Sequence, residues 1–279
     1  MKQFHLFTAL KGLCIGGTML VPGVSGGSMA IILGIYDQLV SSVSSFFKHK
    51  RKSAVFLGIF CLGALIGMIL FARPLLHLIE NYPKPMMFFF MGAVAGSAPM
   101  IYRKGGSHSA CWQDGMFFLL GLALIVLLSL FPKTSFEMTA NDQYVYFLLV
   151  LSGFLAAIAL VLPGISVSYM LLLLGMYDTT MRAFETFYLP YLLPLGIGLI
   201  LGIFATTKLL ECAMTQYPRQ TYRIILGFIL GSVVEIFPGL PSGIEILLCA
   251  ILLTAGFVII YYLSSKEESA TPSSSSQEK

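Results

Sequence analysis

Apolar residues run along this chain in ten blocks, at about 4–21, 24–47, 53–80, 86–102, 115–131, 143–162, 164–182, 188–214, 221–238 and 244–263. A helix that crosses a bilayer needs about 20 consecutive apolar residues, and several blocks meet that length. Two places break the pattern: Pro22-Gly23 and Pro163-Gly164 stand inside otherwise continuous apolar sequence. Proline removes a backbone donor and clashes with the preceding turn, and the glycine ends what helix is left. Backbone unpaired at membrane depth is tolerated only where protein or a polar cavity covers it. The blocks 4–21 with 24–47, and 143–162 with 164–182, therefore each predict a broken helix or a re-entrant helical hairpin.

The two breaks are copies of one motif. Val21-Pro22-Gly23-Val24-Ser25-Gly26-Gly27-Ser28 leads through Met29 to Leu33 into Gly34-Ile35-Tyr36-Asp37. About 141 residues later, Leu162-Pro163-Gly164-Ile165-Ser166-Val167-Ser168-Tyr169 leads through Met170 to Leu174 into Gly175-Met176-Tyr177-Asp178. Further pairs recur at an offset of about 135: Gly63, Gly67 and Arg73 with Gly198, Gly202 and Lys208, Tyr82-Pro83-Lys84 with Tyr217-Pro218-Arg219, and Gly92, Gly96 and Ser97 with Gly227, Gly231 and Ser232. Chance rarely gives so many matches at a fixed offset. The chain reads as a duplication, with a first repeat over 1–132, an external loop at 133–142, a second repeat over 143–263, and a Ser/Glu-rich tail at 264–279 expected to be disordered.

Composition turns this pattern into a membrane protein. Apolar residues make up 57% of the 279 and charged residues 11%, too few charges to cover a soluble surface. The loop charges give a direction. Lys48, Lys50, Arg51 and Lys52 form the strongest basic cluster, which belongs in the cytoplasm. If both broken pairs re-enter without crossing, each half crosses three times, both termini lie in the cytoplasm, and nearly all loop Lys and Arg fall inside. An odd count inverts the second half relative to the first, a recurring transporter design in which broken helices meet near the midplane. The expected fold is thus an all-α polytopic membrane protein of two inverted repeats. The start of the chain shows no A-x-A-like cleavage site, and the five scattered cysteines read as small apolar fillers.

The chemistry expected of the motif is anion binding. A helix restarting after a Pro-Gly break presents backbone N–H groups without intrahelical partners, serine can cap them, and glycine lets a ligand approach. Ser25, Gly26, Gly27 and Ser28, with Ser166 and Ser168 in the second copy, are the candidate contacts for a phosphate or carboxylate. Val167 and Ser168 replace the two glycines, so the half-sites are not equivalent. Arg73 and Lys208, at matching repeat positions, are candidate clamps on an anion arriving from opposite sides. Intramembrane carboxylates are costly and mark ion or proton pathways, so Glu235, Glu211, Asp37 and Asp178 are candidates for coupling. Each has a plainer alternative: local capping for the serines and aspartates, snorkelling for Arg73 and Lys208, a satisfied interhelical hydrogen bond for Glu235. No Walker A or HExxH pattern is present, and although Gly23-Val24-Ser25-Gly26-Gly27 has the GxSxG spacing, neither Ser25 nor Ser166 has a histidine within its motif, so no cofactor, metal or catalytic group is expected and the chain is not read as an enzyme.

The doubled segment at 21–37 and 162–178 resembles the bacterial polyprenyl-phosphate transporters of the PopT type, and the likeness extends over about 5–263. Val167 departs from the small residue expected after Pro-Gly-Ile-Ser. The resemblance implies a bacterial plasma-membrane flippase that returns undecaprenyl phosphate from the outer to the inner leaflet for cell-envelope synthesis. Its partners would be the lipid substrate and bilayer lipids, with no nucleic acid. From the residues alone, two other classes stay open: an ion-coupled transporter of a small anionic solute, and a membrane-embedded lipid phosphatase.

Overall fold

A computed structural model describes residues 2–19, 25–106, 112–130, 143–243 and 245–270. They form twelve helices: α1 (Lys2–Thr18), α2 (Gly26–Ile32), α3 (Tyr36–Ser44), α4 (Lys50–Asn81), α5 (Pro83–Lys104), α6 (Trp112–Leu130), α7 (Gln143–Val161), α8 (Val167–Leu173), α9 (Tyr177–Glu185), α10 (Leu189–Gln216), α11 (Pro218–Ile236) and α12 (Glu245–Ala270). Four of them, α4, α5, α10 and α12, are long and apolar enough to cross a bilayer, and α6 and α7 contribute shorter apolar stretches. Helices of this kind satisfy their own backbone, which is what a lipid interior demands.

The element order of the first half recurs in the second. α2 and α8 each have 7 residues, and α3 and α9 each have 9. The blocks expected as single helices after the motif, 24–47 and 164–182, are each broken once more. The cause is a Schellman turn on a left-handed glycine. At Gly34 (φ 62°) the Gly34 N–H donates to the Ile31 carbonyl and the Ile35 N–H to the Ala30 carbonyl. At Gly175 (φ 67°) the Gly175 and Met176 N–H groups do the same with Leu172 and Leu171. The long helices reverse on single residues, Tyr82 and Tyr217, at nearly the same dihedrals (φ −134°, ψ 59° and φ −130°, ψ 56°), each followed by a proline at the first helical position. One boundary differs: α12 runs to Ala270, so 264–270 is helical rather than part of a disordered tail. Ser265 Oγ donates to the Tyr261 carbonyl there, and Lys266, Glu267 and Glu268 are good helix formers.

Small residues set the packing, as expected where helices associate in lipid. α1 lies along α4 with Gly12 against the Phe60 carbonyl and Gly63 against that of Ala9. α7 lies along α10 with Gly153 against the Leu195 carbonyl and Gly198 against that of Val150, the same positions one repeat later. The other two pairs cross between halves. α5 packs most extensively on α12, with Gly92 against the Leu253 carbonyl and Gly256 against that of Phe89. α11 packs on α6, with Gly227 against the Phe118 carbonyl and Gly121 against that of Ile224. These contacts are reciprocal: each position in one half meets the partner that its repeat equivalent meets in the other. The main core gathers Ile31, Ile32, Ile35 and Val40 of α2–α3 against Ile101 of α5 and Ile225 and Ile229 of α11.

Candidate functional site

The two motif copies meet at Gly27 and Pro163. Pro22 and Gly23 lie outside the described residues, and α2 begins shortly after them. Ser25 is the N-terminal cap position of α2 in an extended conformation, is buried, and makes no side-chain cap bond. Gly27 sits so close to the second motif that an added Cβ would stand 3.1 Å from Pro163 Cα. Tyr36, at the far end of the same segment, donates its buried hydroxyl to the Val161 carbonyl at 2.7 Å, just before the second break. Ser28 is 2% exposed, and its hydroxyl has no hydrogen-bond partner. A buried polar group without a partner is costly, and such an orphan is worth explaining by function.

Beside this junction lies an apolar cavity of about 290 Å³, bounded by Gly26, Gly27, Ala30, Tyr36, Leu160, Val161 and, from α10, Ile203 and Thr207. A second apolar cavity of about 360 Å³ opens between α7, α10 and α11, against Ile158, Leu162, Leu209 and Ile225. Serine hydroxyls and bare glycine backbone thus sit next to space suited to hydrocarbon.

The second copy is built differently. The Ser166 hydroxyl accepts the Tyr169 N–H, so it caps α8. Ser168 is exposed, where its equivalent Gly27 is buried. Tyr169 instead reaches the Leu128 carbonyl of α6 at 2.9 Å.

The charged candidates lie away from the junction. Arg73 and Lys208 are exposed on α4 and α10, and neither lines a cavity next to the motif. His77, on the same face as Arg73, is bonded to Asn81. Glu211 is half-buried and accepts a hydrogen bond from Ser44, which ties α3 to α10. Asp37 pairs with Lys104 at 2.7 Å and accepts from the Tyr222 hydroxyl at 3.1 Å, which ties α3 to α5 and α11. Asp178, its repeat equivalent, is exposed. Glu235 lies on α11, and its side chain is outside the described residues.

The sequence reading missed one charged group. Asp114, 7% exposed at the start of α6, takes both Arg219 Nε and Nη2 at 2.7 Å. Arg223 Nη2 stands 3.7 Å from the same carboxylate, and Arg223 is 1% exposed. Its guanidinium lies 3.4 Å from the centroid of the Tyr102 ring and donates Nη1 to the Tyr102 carbonyl at 2.9 Å. The arginines were read only as cytoplasmic end-charges of a span. Their spacing of four residues on one helical face was the signal that they share a partner.

Comparison with known proteins gives this arrangement a context. The chain is 32% identical over 271 residues to a polyprenyl-phosphate transporter of Staphylococcus aureus, covering 93% of this chain and 96% of that protein. It is 31% identical over 252 residues to a polyprenyl-phosphate transporter of Vibrio cholerae, covering 84% of this chain and 78% of that one. No solved structure matches it. A family model described as undecaprenyl phosphate translocase-like matches residues 15–242, a stretch that takes in both motif copies and every helix from the later part of α1 to α11. This chain belongs to the undecaprenyl phosphate translocase-like family.

Proposed function

We propose that this protein is a flippase that carries undecaprenyl phosphate from the outer to the inner leaflet of a bacterial plasma membrane, returning the carrier to cell-envelope synthesis. The observation that carries the reading is the junction itself: two hydroxyl- and glycine-bearing helix breaks meet beside cavities lined by hydrocarbon. A long isoprenoid chain with one anionic end needs both surfaces at once. The apolar linings favour such a lipid over a small hydrophilic anion, which would need an enclosed polar chamber. The relatives are named as transporters of polyprenyl phosphate, which supports the same substrate and argues against an enzyme.

In this reading the halves are inverted in the bilayer, and α1–α3 and α7–α9 enter from opposite faces without crossing. The reciprocal contacts of the halves support that arrangement. Ser25, Gly26, Gly27 and Ser28 touch the phosphate at mid-membrane, and Ser166 and Ser168 complete the site when the second hairpin closes. Arg73 and Lys208 attract the head group at the surface of α4 and α10. Glu211, Asp37, Asp178 and Glu235 are the carboxylates available to couple transport to an ion gradient. Both termini lie in the cytoplasm.

Undecaprenyl phosphate exposed on the cell surface is the readout. Depleting the protein should raise it, and restoring the protein should lower it. Unchanged surface-exposed carrier in depleted cells would overturn the proposal. In reconstituted vesicles, Ser28→Val should slow inward movement of the lipid, whereas unaltered movement would remove the buried hydroxyl from the site.

A further inference from the structure

Two cavities away from the motif junction turn out to be one cavity seen twice. The first, of about 760 Å³, lies between the start of α1, α3 and the start of α4, and its walls include His5, Gln38, Ser41, Ser45, Arg51 and Lys52. The second, of about 240 Å³, lies between α7, α9 and the start of α10, with Tyr146, Thr179, Arg182, Thr186, Tyr188 and Tyr191. Most of their lining residues are repeat equivalents, while the cations stand at different positions in the two hollows, Arg51 and Lys52 in one and Arg182 in the other. His5 corresponds to Tyr146, and Gln38, Ser41, Ser42 and Ser45 to Thr179, Arg182, Ala183 and Thr186, at the motif offset of about 141. Ser53, Val55 and Phe56 correspond to Tyr188, Pro190 and Tyr191 at the later offset of about 135. A duplicated hollow is a stronger observation than either cavity alone, because packing accidents do not recur in register.

The linings share a chemistry. Both carry cations and hydroxyls, and neither carries a carboxylate. Among the described residues Arg51, Lys52 and Arg182 make no ion pair, like Arg73 and Lys208 and unlike Lys104, Arg219 and Lys84. The first cavity also works against the usual electrostatics of helix ends. α3, α6, α9 and α12 each begin with an acidic residue, which suits the positive end of the helix. α4 begins with Lys50-Arg51-Lys52 and no acid; α5 and α11 also begin with a cation and no acid, but there Lys84 and Arg219 are paired with Glu245 and Asp114. Cations held against the same-signed helix end, in a hollow without counter-charge, are relieved by an anion. A preference for basic residues on the cytoplasmic side accounts for the sign of the first cluster. It does not account for Arg182, which stands in the other hollow at the position of Ser41.

The short helix between cavities adds the second half of the argument. The stripe Gln38, Ser41, Ser42 and Ser45 of α3 and its C-cap faces the basic hollow, while Leu39, Val40 and Val43 face the apolar cavity at the motif junction. One helix therefore divides a charged compartment from a hydrocarbon one. That is the partition an anionic isoprenoid lipid requires, with its head on one side of α3 and its tail on the other.

We infer that these hollows are a pair of docking sites for a phosphate monoester, one at each membrane face, where the lipid head group is received and released. The inference rests on the transport reading given above and specifies its end stations. Arg51 and Lys52 hold the phosphate in the larger site. Arg182 holds it in the smaller one, with the tyrosine hydroxyls of Tyr146 and Tyr188 in reach as donors.

The test uses the full chain in lipid nanodiscs and in vesicles. Binding of undecaprenyl phosphate and of inorganic phosphate is measured separately, and transport is followed in vesicles. Arg51→Ala with Lys52→Ala, and Arg182→Ala, should each weaken lipid binding by about tenfold or more, the scale of losing a charge-assisted phosphate contact. Arg51→Lys with Lys52→Arg should bind as the native protein does. If the alanine variants bind and transport normally while the native protein transports, the docking sites are wrong and the transport reading stands. If the native protein moves no lipid but binds inorganic phosphate in a manner lost in these variants, the sites stand as free-phosphate sites and the lipid reading falls. Sidedness is read by a membrane-impermeant maleimide on Ser45→Cys and Thr186→Cys, with the native protein as background. Labelling from opposite faces is expected. Labelling of both from the same face would overturn the two-sided arrangement.

Discussion

The hairpin α2–α3 and the hairpin α8–α9 have the same lengths and the same closing glycine turns, yet they sit in the molecule differently. Every residue of α2 from Gly27 to Ile32 is buried. In α8 only Met170 and Leu171 are. α3 packs across the repeat boundary on α10, and no comparable packing joins α9 to α4. The first hairpin is fastened by Tyr36 to Val161, Ser44 to Glu211, and Asp37 to Lys104 and Tyr222. The second has one tie to the other half, Tyr169 to the Leu128 carbonyl of α6, beside the shorter-range bonds Ser166 to Tyr169 and Thr180 to Tyr191. A shared motif therefore does not by itself dictate burial, and the partners that each hairpin finds in the other half do. The first copy is the more deeply buried and the more heavily tied across the repeat boundary.

Four substitutions, three of them with a matched control, sharpen or break this comparison. The largest effect is expected at the ends of the crossed helix pairs. Asp114→Ala strands two arginines, one of them fully buried, and should cost about 3–5 kcal/mol of unfolding free energy in detergent. Glu245→Ala breaks the exposed Lys84–Glu245 pair, whose lysine is the repeat equivalent of Arg219, and should cost at most about 1 kcal/mol. Next comes Gly27→Val, which pushes a branched side chain at Pro163 and should destabilise by about 1–3 kcal/mol, whereas Ser168→Val at the exposed equivalent should be near neutral. Tyr36→Phe leaves the Val161 carbonyl without its hydroxyl donor and should cost about 1 kcal/mol, read as a shift in the denaturant midpoint, with Tyr177→Phe as the matched control. Asp37→Asn should have the smallest effect, under about 1 kcal/mol because the carboxylate is half exposed, seen as faster hydrogen exchange across α3. Equal responses in both hairpins would mean that the difference in burial has no energetic weight.

Much of the architecture was readable from the chain because membrane helices announce themselves one at a time. The apolar blocks mark most helix boundaries within a few residues, except the end of α12 and the further breaks inside 24–47 and 164–182, and the repeated Pro-Gly motif marks the duplication. What could not be read was which helix meets which. Gly92 and Gly227 were visible as a matched pair, but nothing in their periodicity says that each docks on the last helix of the opposite half. The extra turn at Gly34 and Gly175 was hidden because a single glycine in an apolar run is also compatible with continuous helix. Arg219 and Arg223 were read as end-charges, since the partner that buries them, Asp114, lies far away in sequence. The cationic stretch around Arg51 was legible as a sign of orientation, while the hollow it faces depends on α1 and α3 arriving beside it.

The exchanged glycine contacts have a consequence for how the chain is made. α5 emerges from the ribosome long before α12, the helix whose Leu253 and Phe257 carbonyls fill its glycine face. The first half consequently cannot finish assembling on its own and must wait in the membrane with that groove open until synthesis is almost complete. Severing the chain between α6 and α7 would give two fragments that each carry an unfilled groove and the other's missing ridge, so that stability would come only when both are expressed in one cell.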